Sequence, residues 1–268
     1  MAESDSLDPD VASYYERGRE HERLSTSARL EFLRTQELLT RYLPAAPARV
    51  LDVGGGAGAY AAWLTDRGYD VMLVDPVPLH LEQARDRGVV NAKLGDARAL
   101  EFSDEAFDAV LLLGPLYHLP DRDDRIRSLQ EAHRVLAPGG VVAAAVISRY
   151  ASTIDGLQQG FLKEDEFVDM VAASIEDGVH VNRTHDPRWF TTAYFHHPDE
   201  VLPELRDGGF DTCERYAIEG VGTVTPNLDE WLDDPRLREI LVRTIRTFET
   251  EPSLLGCSSH LLGVGHKS

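Results

Sequence analysis

The chain has only two cysteines in 268 residues, Cys213 and Cys257. They are too few for a disulfide framework and show no metal-ligand spacing, so two free thiols in a reducing compartment are expected. No apolar run reaches the ~18 to 20 residues that cross a bilayer, and no basic stretch leads into an apolar one at the N-terminus. A membrane partner is therefore not expected, and the expected location is the cytoplasm. Lysine is nearly missing: Lys93, Lys163 and Lys267 are all there are, and arginine supplies the other 24 of the 27 basic side chains. That is a coding bias of GC-rich bacterial genomes rather than a physical signal. Against 46 acidic residues the formal net charge is −19, and no basic cluster is segregated from it. Such a surface repels a phosphate backbone, so nucleic acid is not an expected partner. Internal repeats and low-complexity linkers are also missing, and one elaborated domain is the simpler organisation.

What is present is a regular alternation. Leu30, Leu33, Leu38, Tyr42 and Leu43 recur at mainly helical spacing until Pro44 and Pro47 stop the pattern, so residues 1–47 read as an N-terminal helical extension. Its first ten residues are acidic and are expected to fray. Strands are then expected at 49–53, 71–75, 89–94, 107–113 and 141–147, with helices at 57–67, 79–86 and 121–136 between them. In the last helix Asp121 is the expected N-cap, and Pro138-Gly139-Gly140 ends the pattern. Strand–helix alternation implies right-handed βαβ units, hence an α/β, Rossmann-like fold whose mainly parallel sheet carries helices on both faces. Residues 150–205 break the pattern and read as a cap inserted after the fifth strand, within a main domain over 48–268. Strands resume at "GFDTCERYAIEG" and close at "SSHLLGVGHK".

The stretch "VLDVGGGAGAY" ends the first strand in glycines that let a ligand approach the backbone. Gly54, Gly56 and Ala59 fit the fingerprint of a dinucleotide site, whereas Asp52, Gly54, Gly56 and Gly58 fit a site for S-adenosylmethionine (SAM). The glycines do not discriminate. Asp52 does, because a carboxylate beside the turn opposes a pyrophosphate but suits the sulfonium and ammonium of SAM. Asp75 ends the second strand where a carboxylate can accept ribose hydroxyls, and Asp96 ends the third where an acceptor can take an adenine amino group.

With these residues in order, residues 48–147 resemble a class I SAM-dependent methyltransferase: "VLDVGGGAG", "VMLVDP", "GDAR", "FDAVLLLGPLYHL" and "RVLAPGGVV" follow the family's sequence of motifs. The resemblance implies a seven-stranded sheet with an antiparallel final strand, SAM as cofactor and S-adenosylhomocysteine (SAH) as product. It carries cofactor contacts onto Asp52, Gly54, Gly56, Asp75 with Pro76, Asp96 with Ala97, and Leu113 with Gly114. In similar small-molecule enzymes a tyrosine-rich N-terminal segment folds over the cofactor, which implies Tyr14 and Tyr15 near the methyl group and Arg23 at the methionine carboxylate. His118, after the fourth strand, is the candidate base, with an unperturbed pKa near ~6.5; Tyr15 is the second catalytic candidate. His196 and His197 are candidates for lining the substrate pocket, and Trp189, Phe190, Tyr194 and Phe195 for its apolar wall. His180, His185, His196, His197 and Asp186 match no ligand spacing, and no metal is assigned. The segment after the fourth strand lacks the Asn/Asp-Pro-Pro-aromatic tetrad of amino-directed DNA and protein methyltransferases. The expected substrate is therefore a small molecule or short peptide, methylated at oxygen or nitrogen. The alternatives are an NAD(P)-dependent oxidoreductase and a non-catalytic SAM-binding regulator; oligomeric state stays open.

Overall fold

The structure, a computed structural model, describes residues 9–15, 23–24 and 26–268. Most of the acidic tail expected to fray, and residues 16–22 of the tyrosine-rich segment, lie outside them. The helices α1 (Pro9–Tyr15) and α2 (Arg29–Tyr42) lie before β1 (Arg49–Val53), α3 (Ala59–Thr65), β2 (Asp70–Asp75), α4 (Pro78–Asp86), β3 (Ala92–Leu94) and β4 (Phe107–Leu112). The helix α5 (Arg122–Val135) then leads into β5 (Leu136–Ile147). Residues 150–205 hold α6 (Ala151–Gln159), α7 (Asp165–Asp177), the short strands β6 (Val179–His180) and β7 (Ala193–Tyr194), and the start of α8 (Val201–Asp207). Thereafter come β8 (Thr212–Ala217), α9 (Leu228–Asp233), α10 (Pro235–Phe248) and β9 (His260–His266).

Seven strands form one sheet in the order β3-β2-β1-β4-β5-β9-β8. The pairs within β1 to β5 are parallel, and β9 lies antiparallel to both β5 and β8. The strand order reverses between β1 and β4, which is where doubly wound sheets open a crevice for a ligand. The apolar runs of the central strands are continuous because both faces are covered. Ala109 and Leu111 of β4 face one core with Leu38 and Leu64, while Val110 and Leu112 face the other with Leu129 and Val135. Helices on both faces follow from that alternation.

Asp121 is the N-cap of α5, its carboxylate accepting the Asp123 N–H at 2.7 Å. At the far end of α5 the Lys267 ammonium donates to the His133 and Leu136 carbonyls, which have no helical partner of their own. The expected strand at 89–94 shrinks to β3, because the Val89 N–H returns to the Ala84 carbonyl and its side chain packs under α4. Val89 thus belongs to the helix exit. β5 starts earlier than expected, at Leu136, and Pro138-Gly139-Gly140 falls inside it as an irregularity where the pairing with β4 shifts register. The helices α9 and α10 were not anticipated between the last two strands. They pack Leu232, Leu241 and Ile245 against Leu30 of α2. None of the described helices is long and apolar enough to cross a membrane.

Candidate active site

A cavity of about 350 Å³ opens at the carboxyl ends of β1, β2 and β4. Its floor is the glycine turn. Gly54 (φ +65°) and Gly56 (φ +55°) are in the left-handed region, which side chains with a Cβ rarely adopt, and a Cβ on Gly56 would point into open space. Beneath the turn, Asp52 is fully buried and neither carboxylate oxygen has a hydrogen-bond partner. Burial, with a further contribution from the charge of Asp75, pushes the Asp52 carboxyl up to about 7. A buried carboxylate without a donor is costly, and a cation entering the cavity would relieve that cost. This is the one observation of the structure that tests the fit of SAM, and the fit is good: SAM brings two cations and no phosphate.

The other two strand-end carboxylates are already engaged. Asp75 accepts the Gly56 N–H on Oδ2, and the Val77 N–H and His80 Nδ1 on Oδ1, each at 2.9 Å. Asp96 accepts three hydrogen bonds from Arg98, from its backbone N–H at 2.8 Å and from its guanidinium at 3.0 and 2.7 Å, and Arg98 reaches Asp124 as well. Burial would raise the Asp96 carboxyl, but Arg98 outweighs it and holds it below its ordinary value. Pro76, Ala97, Leu113 and Gly114 complete this side of the wall.

The opposite side is aromatic: Tyr15, Tyr117 and His118 line it, and Phe190 of the insert packs behind them. The Tyr15 hydroxyl lies 2.6 Å from His118 Nε2, and the Tyr15 ring stands edge-on to both His80 and His118. Phe190, from the insert, lies against His118, Tyr117 and Tyr14, with centroids 5.7, 6.2 and 5.5 Å apart. Burial lowers the His118 imidazole to about 4, with the Thr192 backbone and Asp75 opposing only in part. His118 is thus neutral at pH 7, and a weaker base than its unperturbed value suggests.

Arg23 lines the cavity and pairs with Glu31 through two hydrogen bonds of 2.6 and 2.9 Å. Behind them His260 sits between Glu31 and Glu219. Burial would lower His260, but the two carboxylates raise it to about 9; burial would raise Glu31, but Arg23 and His260 lower it to about 2. Among the described residues these three are the group whose ligand atoms lie close enough for a metal ion. They are tied to one another as ion pairs instead.

Of the residues expected to touch the cofactor, Tyr14 does not line the cavity; it packs behind Tyr15 and against Phe190, and the expected apolar wall of Trp189, Phe190, Tyr194 and Phe195 does not line it either. His196 and His197 do not line it either. The His196 ring is buried against Glu204 at 3.1 Å, and His197 caps the turn at Pro198–Glu200, where Nδ1 accepts the Asp199 N–H. His180 bonds Ser174 and stacks on Phe195, while exposed His185 lies near Asp10, so the insert's histidines have separate partners and are not brought together. Trp189 packs with Phe167, Met170 and Val171 of α7, a contact within the insert. Among the wall residues that sequence reasoning missed are Tyr60, Glu31 and His80. Tyr60 stood inside the glycine stretch itself; nothing in the pattern marked His80.

Comparison with known proteins agrees with this geometry. Residues 51–144 match the model of a methyltransferase domain. The methyltransferase GfsG of Streptomyces halstedii is 40% identical over 121 residues, which cover 42% of this chain and 42% of that protein. The match with that relative thus spans under half of either length. The ubiquinone/menaquinone biosynthesis C-methyltransferase UbiE of Haemophilus ducreyi is 27% identical over 182 residues, 63% of this chain and 67% of that one. A solved SAM-dependent methyltransferase of Thermotoga maritima shares the fold across 96% of this chain and 99% of its own, with a TM-score of 0.59 at 20% identity. The sheet differs from the dinucleotide fold in its antiparallel strand between β5 and β8. Residues 51–144 thus match a methyltransferase domain, the fold is that of the class I SAM-dependent methyltransferases, and both point to SAM as the cofactor.

Proposed function

We propose that the protein is an enzyme that transfers the methyl group of SAM to an oxygen or nitrogen atom of a small molecule or short peptide. The observation that carries this reading is the Tyr15–His118 pair, 2.6 Å apart on the wall of the cavity whose floor is Asp52 and the glycine turn. When bound, SAM supplies an electrophilic methyl group on a sulfonium. The chain supplies position and a proton acceptor. Asp52, Gly54 and Gly56 hold the cationic end, Asp75 and Pro76 the ribose side, and Ala97, Leu113, Gly114 and the Asp96–Arg98 pair the adenine side. Arg23 stands as counter-charge for the methionine carboxylate.

Much of the rate in such a displacement comes from holding nucleophile and methyl in line, up to ~7 to 11 kcal/mol in favourable systems. His118, neutral and buried, holds the proton that an acceptor hydroxyl or ammonium gives up, either directly or through the Tyr15 phenol. A base of this kind adds ~10² to 10⁴ in rate. Residues 150–205 act as a cap that supports this wall from behind through Phe190, and α1 acts as a lid through Tyr15. A surface of −19 net charge supports a substrate other than nucleic acid. Few cysteines support a cytoplasmic site.

A second reading, methylation at carbon, is favoured by the likeness to the H. ducreyi protein, which its name calls a C-methyltransferase. Incubation with ¹³C-methyl SAM and a bacterial metabolite extract, followed by mass spectrometry and carbon NMR of the labelled species, separates these readings. An O-methyl or N-methyl signal supports the first, a C-methyl signal the second. Tight SAM binding with no labelled product would overturn both in favour of a regulator.

A further inference from the structure

Asp75 has fewer free acceptor positions than a ribose diol has donors. A carboxylate offers about four lone-pair sites, two on each oxygen. On Oδ1 both are taken, by the Val77 N–H and by His80 Nδ1; on Oδ2 one is taken, by the Gly56 N–H. One site is left, while the ribose of SAM presents two adjacent hydroxyls. The second hydroxyl needs another acceptor on the same wall.

His80 offers one. Its ring is buried, it lines the cavity, and Nε2 has no hydrogen-bond partner. With the ring proton on Nδ1, where it faces the carboxylate, Nε2 keeps a lone pair. The Tyr15 ring stands edge-on to it at 5.1 Å, a contact that an apolar side chain would make without stranding a nitrogen. A buried, unsatisfied polar atom calls for a reason, and a ligand hydroxyl supplies one. We propose that His80 is a second ribose-binding residue: Nε2 accepts one ribose hydroxyl and Asp75 Oδ2 accepts the other, while Nδ1–H holds the carboxylate in register.

This inference rests on SAM as the cofactor, and calorimetry of the apo-protein keeps the two apart. The probes are SAH, 2′-deoxy-SAH and 3′-deoxy-SAH. His80→Asn keeps an amide N–H near the position of Nδ1 and removes the acceptor at Nε2; His80→Gln puts an amide near Nε2 instead. Wild type should lose about 3- to 10-fold in affinity for each missing hydroxyl. His80→Asn should lose a similar factor for SAH and then be indifferent to one of the two deoxy ligands while still responding to the other. His80→Gln should respond to both, a rescue that a packing role would not give. Equal responses of His80→Asn and wild type to both deoxy ligands would overturn the proposal. Should the variants not fold, ¹⁵N-histidine NMR of wild type decides: the His80 Nε2 resonance should move on binding SAH and not on binding one of the deoxy ligands, and no movement with any ligand overturns it. A wild type that binds no SAH rejects the cofactor assignment itself.

Discussion

The two walls of the cavity are built in different ways. One is made of strand ends and the turns that follow them, each placed within a few residues of Asp52, Asp75 and Asp96. The other gathers Tyr15 and His118 from positions far apart in the chain, with Phe190 of the insert packed behind them. The first wall is a consequence of topology: any chain that lays β1, β2 and β3 side by side brings those three carboxylates to one edge. The second forms where α1 folds back onto the turn after β4, with the insert packed behind it. Its chemistry is therefore free to vary without disturbing the sheet, and a substrate would be chosen there.

The sharpest way to separate the walls is at the aromatic pair. Tyr15→Phe or His118→Gln should lower the methyl-transfer rate by roughly 10² to 10⁴ while SAH affinity in calorimetry shifts less than about 3-fold. Equal losses in both measurements would mean that the pair belongs to the cofactor wall. Next in size, Asp52→Asn should weaken SAH binding by roughly 100-fold through loss of the buried counter-charge. The same substitution should stabilise the ligand-free protein above neutral pH. The Asp52 carboxyl lies at about 7 in the fold against an ordinary 3.8. Its contribution to stability is therefore complete below pH 3.8 and lost as pH rises through 7. A melting temperature at pH 8 that does not rise in Asp52→Asn would count against an unpaired Asp52.

A smaller effect involves neither wall directly. His260, raised from 6.5 to about 9 between Glu31 and Glu219, contributes stability that is complete below pH 6.5 and lost as pH rises through 9. Thermal melts of wild type and His260→Asn from pH 6 to 10 should therefore converge at the alkaline end. Smallest of all, Asp121→Ala removes the cap of α5 and should cost about 1 kcal/mol, or roughly 2 to 4 °C in melting temperature.

The same contrast explains what could be read in the sequence. β1, the Asp121 cap and the helices on both faces follow from local periodicity and capping chemistry, and the structure has them where that chemistry puts them. Gly54, Gly56, Asp52 and Asp75 were legible for the same reason, being fixed by one strand and the turn that follows it. His80 was not, because its meaning lies in a hydrogen bond to Asp75 one helical turn away and not in any pattern. Tyr14 and Tyr15 are adjacent in sequence, yet the helix they end turns only Tyr15 toward the cavity. His196 and His197 divide in a similar way: one is drawn into a buried contact with Glu204 and the other spent on a cap. α9 and α10 carried a signal that went unused: Asp234 followed by Pro235 is a helix start, and the Asp234 side chain accepts the Arg236 and Leu237 N–H groups.

The place of β9 bears on how the chain comes together in time. Both of its neighbours, β5 and β8, are synthesised before it, and neither pairs with the other. Until β9 emerges, β5 has one unpaired edge along a run of valine and alanine from Val141 to Val146, the kind of edge that recruits foreign strands. Closure waits on the most distant pairing in the sheet, so completion of the sheet is coupled to the arrival of β9, and the nascent chain would depend on shielding until then.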